Sequence, residues 1–211
     1  MAMMLALLLG GSPLRFPSVL HAEIIDRILA VVNGKILTLS DVEQELDFLL
    51  LAGGNPGILP PIRDVLAKLI DQHLIRQQME QFPSVEVSPE EVRDQLAHLR
   101  QGHPDPKLWQ QQMEHAGISL EKLEEHLQEQ LKILKFLDDR FRPFAVVETA
   151  EIEEYYRRDF LPPLKAKNLT PPQLAEVEEK IRGLLIEQKI NDQMEDWLKS
   201  LKEAASLQIM E

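Results

Sequence analysis

Residues 24–42 read IIDRILAVVNGKILTLSDV, and this stretch decides the fold. Ile24 to Val32 is β-branched and apolar, Asn33-Gly34 interrupts it, and Lys35 to Thr38 resumes the apolar run. Asn-Gly between two such runs signals a hairpin, because a type I′ turn needs positive φ at both central residues and these two tolerate it. Alternation puts Ile28, Ala30 and Val32 on one face. A lone hairpin is marginal in water, so it needs a third strand or a helical layer. Ser40-Asp41-Val42-Glu43 follows directly and reads as a capping box, with Ser40 as N-cap of a helix to about Leu51.

Outward from the hairpin the sequence is helical. Pro61 to Phe82 carries Ile62, Val65, Leu66, Leu69, Ile70, His73 or Leu74, and Gln77 at three-four spacing, one buried stripe with His73 at its margin. Ser88-Pro89-Glu90-Glu91 is a second capping box with Pro at its favoured first position. Asp105-Pro106 restarts a short helix, which Gly117 closes. Ser119 caps the next helix, with a stripe of Leu120, Leu123, Leu127, Leu131, Leu134, Leu137 and Phe141. Phe144 to Val147 reads as extended, and Thr149 as the cap of a short helix. Thr170-Pro171-Pro172-Gln173 opens the last and longest helix. Leu207 to Met210 alternates, and we expect it to pair with the hairpin and tie the chain ends together. The prolines from Pro56 to Pro172 all fall between or at the starts of these segments, as residues that cannot continue a helix should. The fold class expected is therefore mainly α, with a small sheet.

Composition excludes several functions. The 211 residues carry 23 Lys+Arg against 35 Asp+Glu, a formal charge of −12, which opposes nucleic-acid binding. Zero Cys removes disulfides, Cys-type zinc sites and thiol nucleophiles. Neither an HExxH, an EF-hand loop nor a GxSxG occurs, so no metal, cofactor or catalytic residue is assigned. Adjacent carboxylates such as Glu90-Glu91 point to different faces of a helix and read as solvated surface. The remaining candidates are apolar. Met79, Phe82, Trp109 and Met113 are candidate peptide-binding residues, Met being adaptable at promiscuous surfaces. Ordinary core packing is the competing reading for each.

Residues 1–22, MAMMLALLLGGSPLRFPSVLHA, read as a secretory leader: an apolar run, a Gly-Gly and Pro break, and a small residue before Glu23. No basic residue precedes the run. It is too short to span a membrane. Export follows as the expectation. Residues 23–160 then read as a helical domain with its hairpin, 161–169 as a linker, and 170–211 as a helix and strand completing the same domain.

These features resemble a family. Ile25 to Val42 resembles the opening of the mature SurA-type periplasmic chaperones, relatives of parvulin-type peptidyl-prolyl isomerases. Val87-Ser88-Pro89-Glu90-Glu91-Val92, then Gly117 to Phe141-Arg142, then Val147 to Tyr156, then Gln188 to Asn191 and Trp197-Leu198 resemble later family segments in order. In that family an isomerase domain lies between the tyrosine-rich helix and the C-terminal helix. Here thirteen residues, 157–169, stand in that place, and a domain takes about 50 or more. With the leader, the resemblance therefore implies a periplasmic chaperone module without its isomerase, whose partners are unfolded outer-membrane or secreted polypeptides. A divergent prolyl isomerase and a non-catalytic adaptor with one fixed partner are the alternatives.

Overall fold

The computed structural model describes residues 26–82, 85–103 and 105–210, and the leader-like residues 1–22 lie outside them. Strands β1 (Ile28–Val32) and β2 (Lys35–Thr38) form the expected hairpin. Asn33 at φ 48° and Gly34 at φ 85° supply the two positive torsions of its turn. Strand β3 (Leu207–Ile209) pairs antiparallel with β1, so the order is β2-β1-β3. The expected closure of the chain ends is present, and the fold is mainly α around this small sheet.

The face assignment within β1 differs from simple alternation. Ile28 pairs with Thr38 but Ala30 pairs with Leu37, so Leu29 is an extra residue, a bulge. The bulge turns Leu29 and Ala30 both inward and leaves Ile28 exposed. Leu29, Ala30, Val32 and Leu37 then form a core with α1 (Leu39–Leu51) and α2 (Ile62–Met79). Within α2, Val65, Leu66, Leu69, Ile70 and Leu74 are buried, whereas Ile62 is exposed at its start.

Thr38, not Ser40, caps α1. Its backbone is already extended as the last residue of β2, which is the conformation an N-cap requires. The Thr38 N–H donates to Asp41 at 2.8 Å, and the Asp41 N–H donates back to Thr38 Oγ1. Ser40 instead bonds Asp26, whose carboxylate accepts from its hydroxyl and from its backbone N–H at 3.2 Å. Asp26 thus satisfies a first-turn donor that has no partner within the helix.

Helices α3 (Pro89–Gln101), α4 (Pro106–Ala116) and α5 (Leu120–Phe141) start on Ser88, Asp105 and Ser119. Gly117 takes the left-handed torsion that closes α4. The α3 cap is charged: the Lys135 ammonium and the Ser88 groups hold Glu91 down at about 2.

The single stripe expected along α5 does not hold. Leu123 and Leu127 are buried, but Leu120 is exposed and Leu134 is 62% exposed, with Ile133 and Phe136 buried instead. The helix changes partners part-way. Its first half packs with α3 and α4, its second with α2 and α8 (Leu174–Ala204). A face suited to one neighbour is rotated for the next.

Beyond α5 the chain makes a 3₁₀ turn over Arg142–Phe144, because Pro143 favours the tight helical start; of the stretch 144–147 expected as extended, Phe144 belongs to this turn and 145–147 are non-helical. Glu148, not Thr149, caps α6 (Thr149–Tyr155): its backbone is extended, and its N–H donates to the Glu151 carboxylate at 2.8 Å. The stretch 161–169, expected as a linker, is helical over α7 (Leu161–Ala166), because Pro162 and Pro163 sit in a first turn where no N–H is needed. A π turn at Tyr156–Phe160 joins it to α6. Gln173 rather than Thr170 caps α8: its backbone is extended, and its N–H donates to the Glu176 carboxylate at 3.3 Å. Thirty-one residues at ~1.5 Å each make α8 about 46 Å long.

Asn33 is where the ends meet. Its backbone N–H donates to Ser206 O at 2.9 Å, its Oδ1 accepts from Ser206 N at 2.9 Å, and its Nδ2 donates to Gln77 Oε1 at 2.7 Å. Replacing Asn33 with Ala removes the side-chain bonds and strains the turn, and should cost about 2 kcal/mol. Asn33→Gly keeps the turn and should cost roughly half as much. Urea midpoints of the two variants check this; an Asn33→Ala midpoint equal to the parent's would refute it.

Candidate functional site

Two apolar grooves lie at opposite ends of α5. At its C-terminal end, Phe136 and Phe141 from α5, Phe82 and Val85 after α2, Phe144 from the 3₁₀ turn and Gln193 from α8 line an open cleft of about 580 Å³. Asp139 and Arg140 supply its polar edge. Trp197 of α8 braces the wall from behind. It meets Phe141 edge-on at 5.5 Å and Phe136 at 6.2 Å, and the Arg140 guanidinium lies 4.8 Å over its ring. Aromatic pairs of this geometry prefer fixed orientations, so the wall is rigid. Among the described residues nothing covers the rim: Phe144 is 73% exposed, and Phe82 and Val146 are also exposed.

At the N-terminal end of α5, Arg100, Gln101, His103, Trp109, Met113 and Leu120 line a second cleft of about 620 Å³. Trp109 is 6% exposed and belongs to the core of α3, α4 and α5. His103 tilts against its ring at 4.5 Å and donates from Nε2 to Leu51 O at 2.7 Å. The buried Trp109 indole N–H has no hydrogen-bond acceptor among the described residues.

The four candidate residues therefore fall into two pairs. Phe82 lines the first groove. Met79 packs just beneath it, against Ile75, Ile133 and Phe136. Trp109 and Met113 line the second groove, Trp109 chiefly as core. From Leu120 to Phe136 along α5 is about 24 Å, so the pairs do not form one site. Phe136, Phe141 and Phe144 are the groove residues that sequence reasoning did not single out. The signal for Phe144 was available: an aromatic residue directly after the Arg142-Pro143 helix stop, followed by Val146, has no helical face on which to be buried.

A third cavity, about 250 Å³, is polar and lies between β2, α1, α2 and α5. Glu45, buried, pairs with Lys68 at 2.7 Å. His126 of α5 stacks on Phe48 of α1 with ring centroids 3.7 Å apart. Burial pushes His126 below its ordinary value, and the nearby cations Lys68 and Arg76 add to this while Glu45 and Glu129 oppose it. His73 of α2 is lowered by burial first and then by Arg76 and Lys35, against Glu80. Among the described residues, no group of three or more His, Asp or Glu is placed to hold a metal, and no helix is long and apolar enough to cross a membrane.

No family model and no curated protein matches the chain. A solved structure does. It comes from work describing PEB4 and the periplasmic protein Cj1289 as two structurally related SurA-like chaperones of Campylobacter jejuni. The match has a TM-score of 0.55 and 11% identity, and covers 87% of this chain and 99% of that one. The likeness is one of fold: this chain has a SurA-like architecture.

Both histidines bind protons less readily in the folded than in the unfolded chain. Their contribution to stability is full above the ordinary His value of 6.5 and is lost as pH falls below it. Melting temperature should therefore fall between about pH 7.5 and pH 5.5, and His126→Gln should flatten that fall. Thermal unfolding of both proteins across this range checks it; identical slopes would count against His126.

Proposed function

We propose that this chain is a periplasmic, ATP-independent chaperone that holds unfolded polypeptides, outer-membrane proteins among them, by their apolar and aromatic segments. The observation that carries the reading is the open aromatic groove at Phe82, Phe136, Phe141 and Phe144, on a fold like that of SurA-like chaperones. Burying a Phe side chain is worth about 1.5–3 kcal/mol, so covering the exposed rings of Phe82 and Phe144 supplies a few kcal/mol. After the cost of ordering a client this gives weak, reversible binding. A holding chaperone needs that reversibility, since a client must leave to fold. The surplus of acids over bases keeps a loaded complex in solution.

The connection from α6 to α8 supports a non-enzymatic role. It consists of the π turn, α7 and a short coil, whereas an inserted domain with its own core takes about 50 residues or more. The leader-like residues 1–22 and the periplasmic relative in the matched study support the location.

Light scattering tests the reading. A urea-unfolded outer-membrane barrel protein diluted into an excess of residues 23–211 should stay dispersed without nucleotide. The double variant Phe82→Ser, Phe144→Ser should need at least about tenfold more protein for the same effect, as expected from losing a few kcal/mol of contact. Its melting temperature should not change, because both side chains are exposed. Failure of the parent to delay aggregation sinks the chaperone reading, and an equally effective double variant sinks the groove. In a proline-isomerisation assay the parent should leave the uncatalysed rate unchanged; acceleration that survives repurification would restore the isomerase alternative.

A further inference from the structure

Among the described residues, the outer edge of β3 in the three-stranded sheet is uncovered. In the β1–β3 pairing, Asn33 bonds Ser206 and the Met210 N–H donates to Leu29 O, each at 2.9 Å. Antiparallel ladders alternate bonded and non-bonded pairs, so Ser206, Gln208 and Met210 turn their backbone groups toward β1. Leu207 and Ile209 consequently point theirs away, and among the described residues nothing pairs with them. Natural sheets blunt such edges with charge, proline or a covering element. Ala205 to Met210 contains neither charge nor proline. Ile209 shares the core-facing side of the sheet with its partner Ala30, yet it is 61% exposed, and Met210 beside it is exposed as well. The opposite edge is treated differently: β2 opens on Lys35 and runs straight into α1.

We propose that the outer edge of β3 is a strand-addition site, which takes an extended polypeptide segment as a fourth strand. Two N–H and two C=O groups at strand spacing are matched by another extended backbone, and Leu207 and Ile209 offer apolar contact to its alternate side chains. A second copy of this chain does not meet the requirement. A three-residue edge is about 10 Å long. Pairing it with itself buries far less than the roughly 1,200 Å² of a stable interface. The site is separate from the aromatic groove: recognition here runs through main-chain groups and is indifferent to aromatic content.

Amide hydrogen exchange on the full chain tests this, with a Lys-flanked peptide of alternating Thr and Val as probe. Saturating peptide should slow exchange at Leu207 and Ile209 about tenfold, while Gln208, already bonded to β1, stays unchanged. The same peptide carrying N-methyl groups on alternate residues should give no protection. Ile209→Lys places a charge at the edge and should weaken binding about tenfold, with an unchanged melting temperature. Phe144→Ser should leave the edge protection intact. Absence of binding, binding that leaves Leu207 and Ile209 unprotected, or an Ile209→Lys variant of parental affinity overturns the proposal. So does protection that needs no peptide and rises with protein concentration, which would make the occupant a second copy. Loss of protection in Phe144→Ser would merge the edge with the groove and also overturn it. Aggregation suppression that persists in Ile209→Lys would leave the groove reading standing.

Discussion

The hydrogen bonds between Asn33 and Ser206 join residues 173 positions apart, and the rest of the architecture depends on that closure. A two-stranded hairpin does not persist alone in water. Here it gains a third strand from the far end of the chain and a helical layer from α1 and α2. The same Asn33 side chain reaches Gln77 of α2, so turn, strand and helix are fixed relative to one another at a single residue. Because β3 follows α8 within a few residues, closing the sheet also fixes where α8 ends, and hence where its whole length lies.

Two long helices carry that constraint across the molecule. Helix α8 passes Leu201 to the sheet core, Trp197 and Leu198 to the middle cluster, and Ile190 to the cluster around Phe141. Helix α5 runs beside it and continues into the α3–α4 layer. The aromatic groove forms where α5 ends against α8 and the chain must turn away through Arg142–Phe144. Arg142 itself is held there by Asp138 at 2.6 Å and Glu187 at 2.9 Å. Phe144 is exposed because, among the described residues, no further layer lies above the turn that carries it. An uncovered aromatic wall is thus a consequence of how the helices terminate, with Trp197 as its rigid backing.

Local chemistry was readable wherever one residue type had one role. Asn33-Gly34, Ser88 with Glu91, and Gly117 all do what their turn and cap preferences require, and the alternation of Leu207 to Met210 was enough to place β3. Caps were misassigned where several competent residues stand in a row. Thr38 displaces Ser40 because the strand delivers it in extended geometry, and Glu148 and Gln173 displace Thr149 and Thr170 by boxes with residues three positions on. Burial was misread where the partner changes along one element, as in α5, or where a bulge resets alternation, as at Leu29. The candidate site was half legible. Phe82 stood out as an aromatic at a helix end, but its neighbours Phe136, Phe141 and Phe144 come together only through tertiary packing. Trp109 and Met113, equally prominent in sequence, belong to another cavity at the far end of α5.

The central claim is that unfolded polypeptides are held at the aromatic groove, and photo-crosslinking addresses it directly. A benzophenone side chain placed at Phe144 should give a covalent adduct with an unfolded outer-membrane barrel protein. The same group placed at Glu179, on the exposed side of α8, should give none. Equal adducts at both positions, or none at 144 while aggregation is still suppressed, would contradict the account.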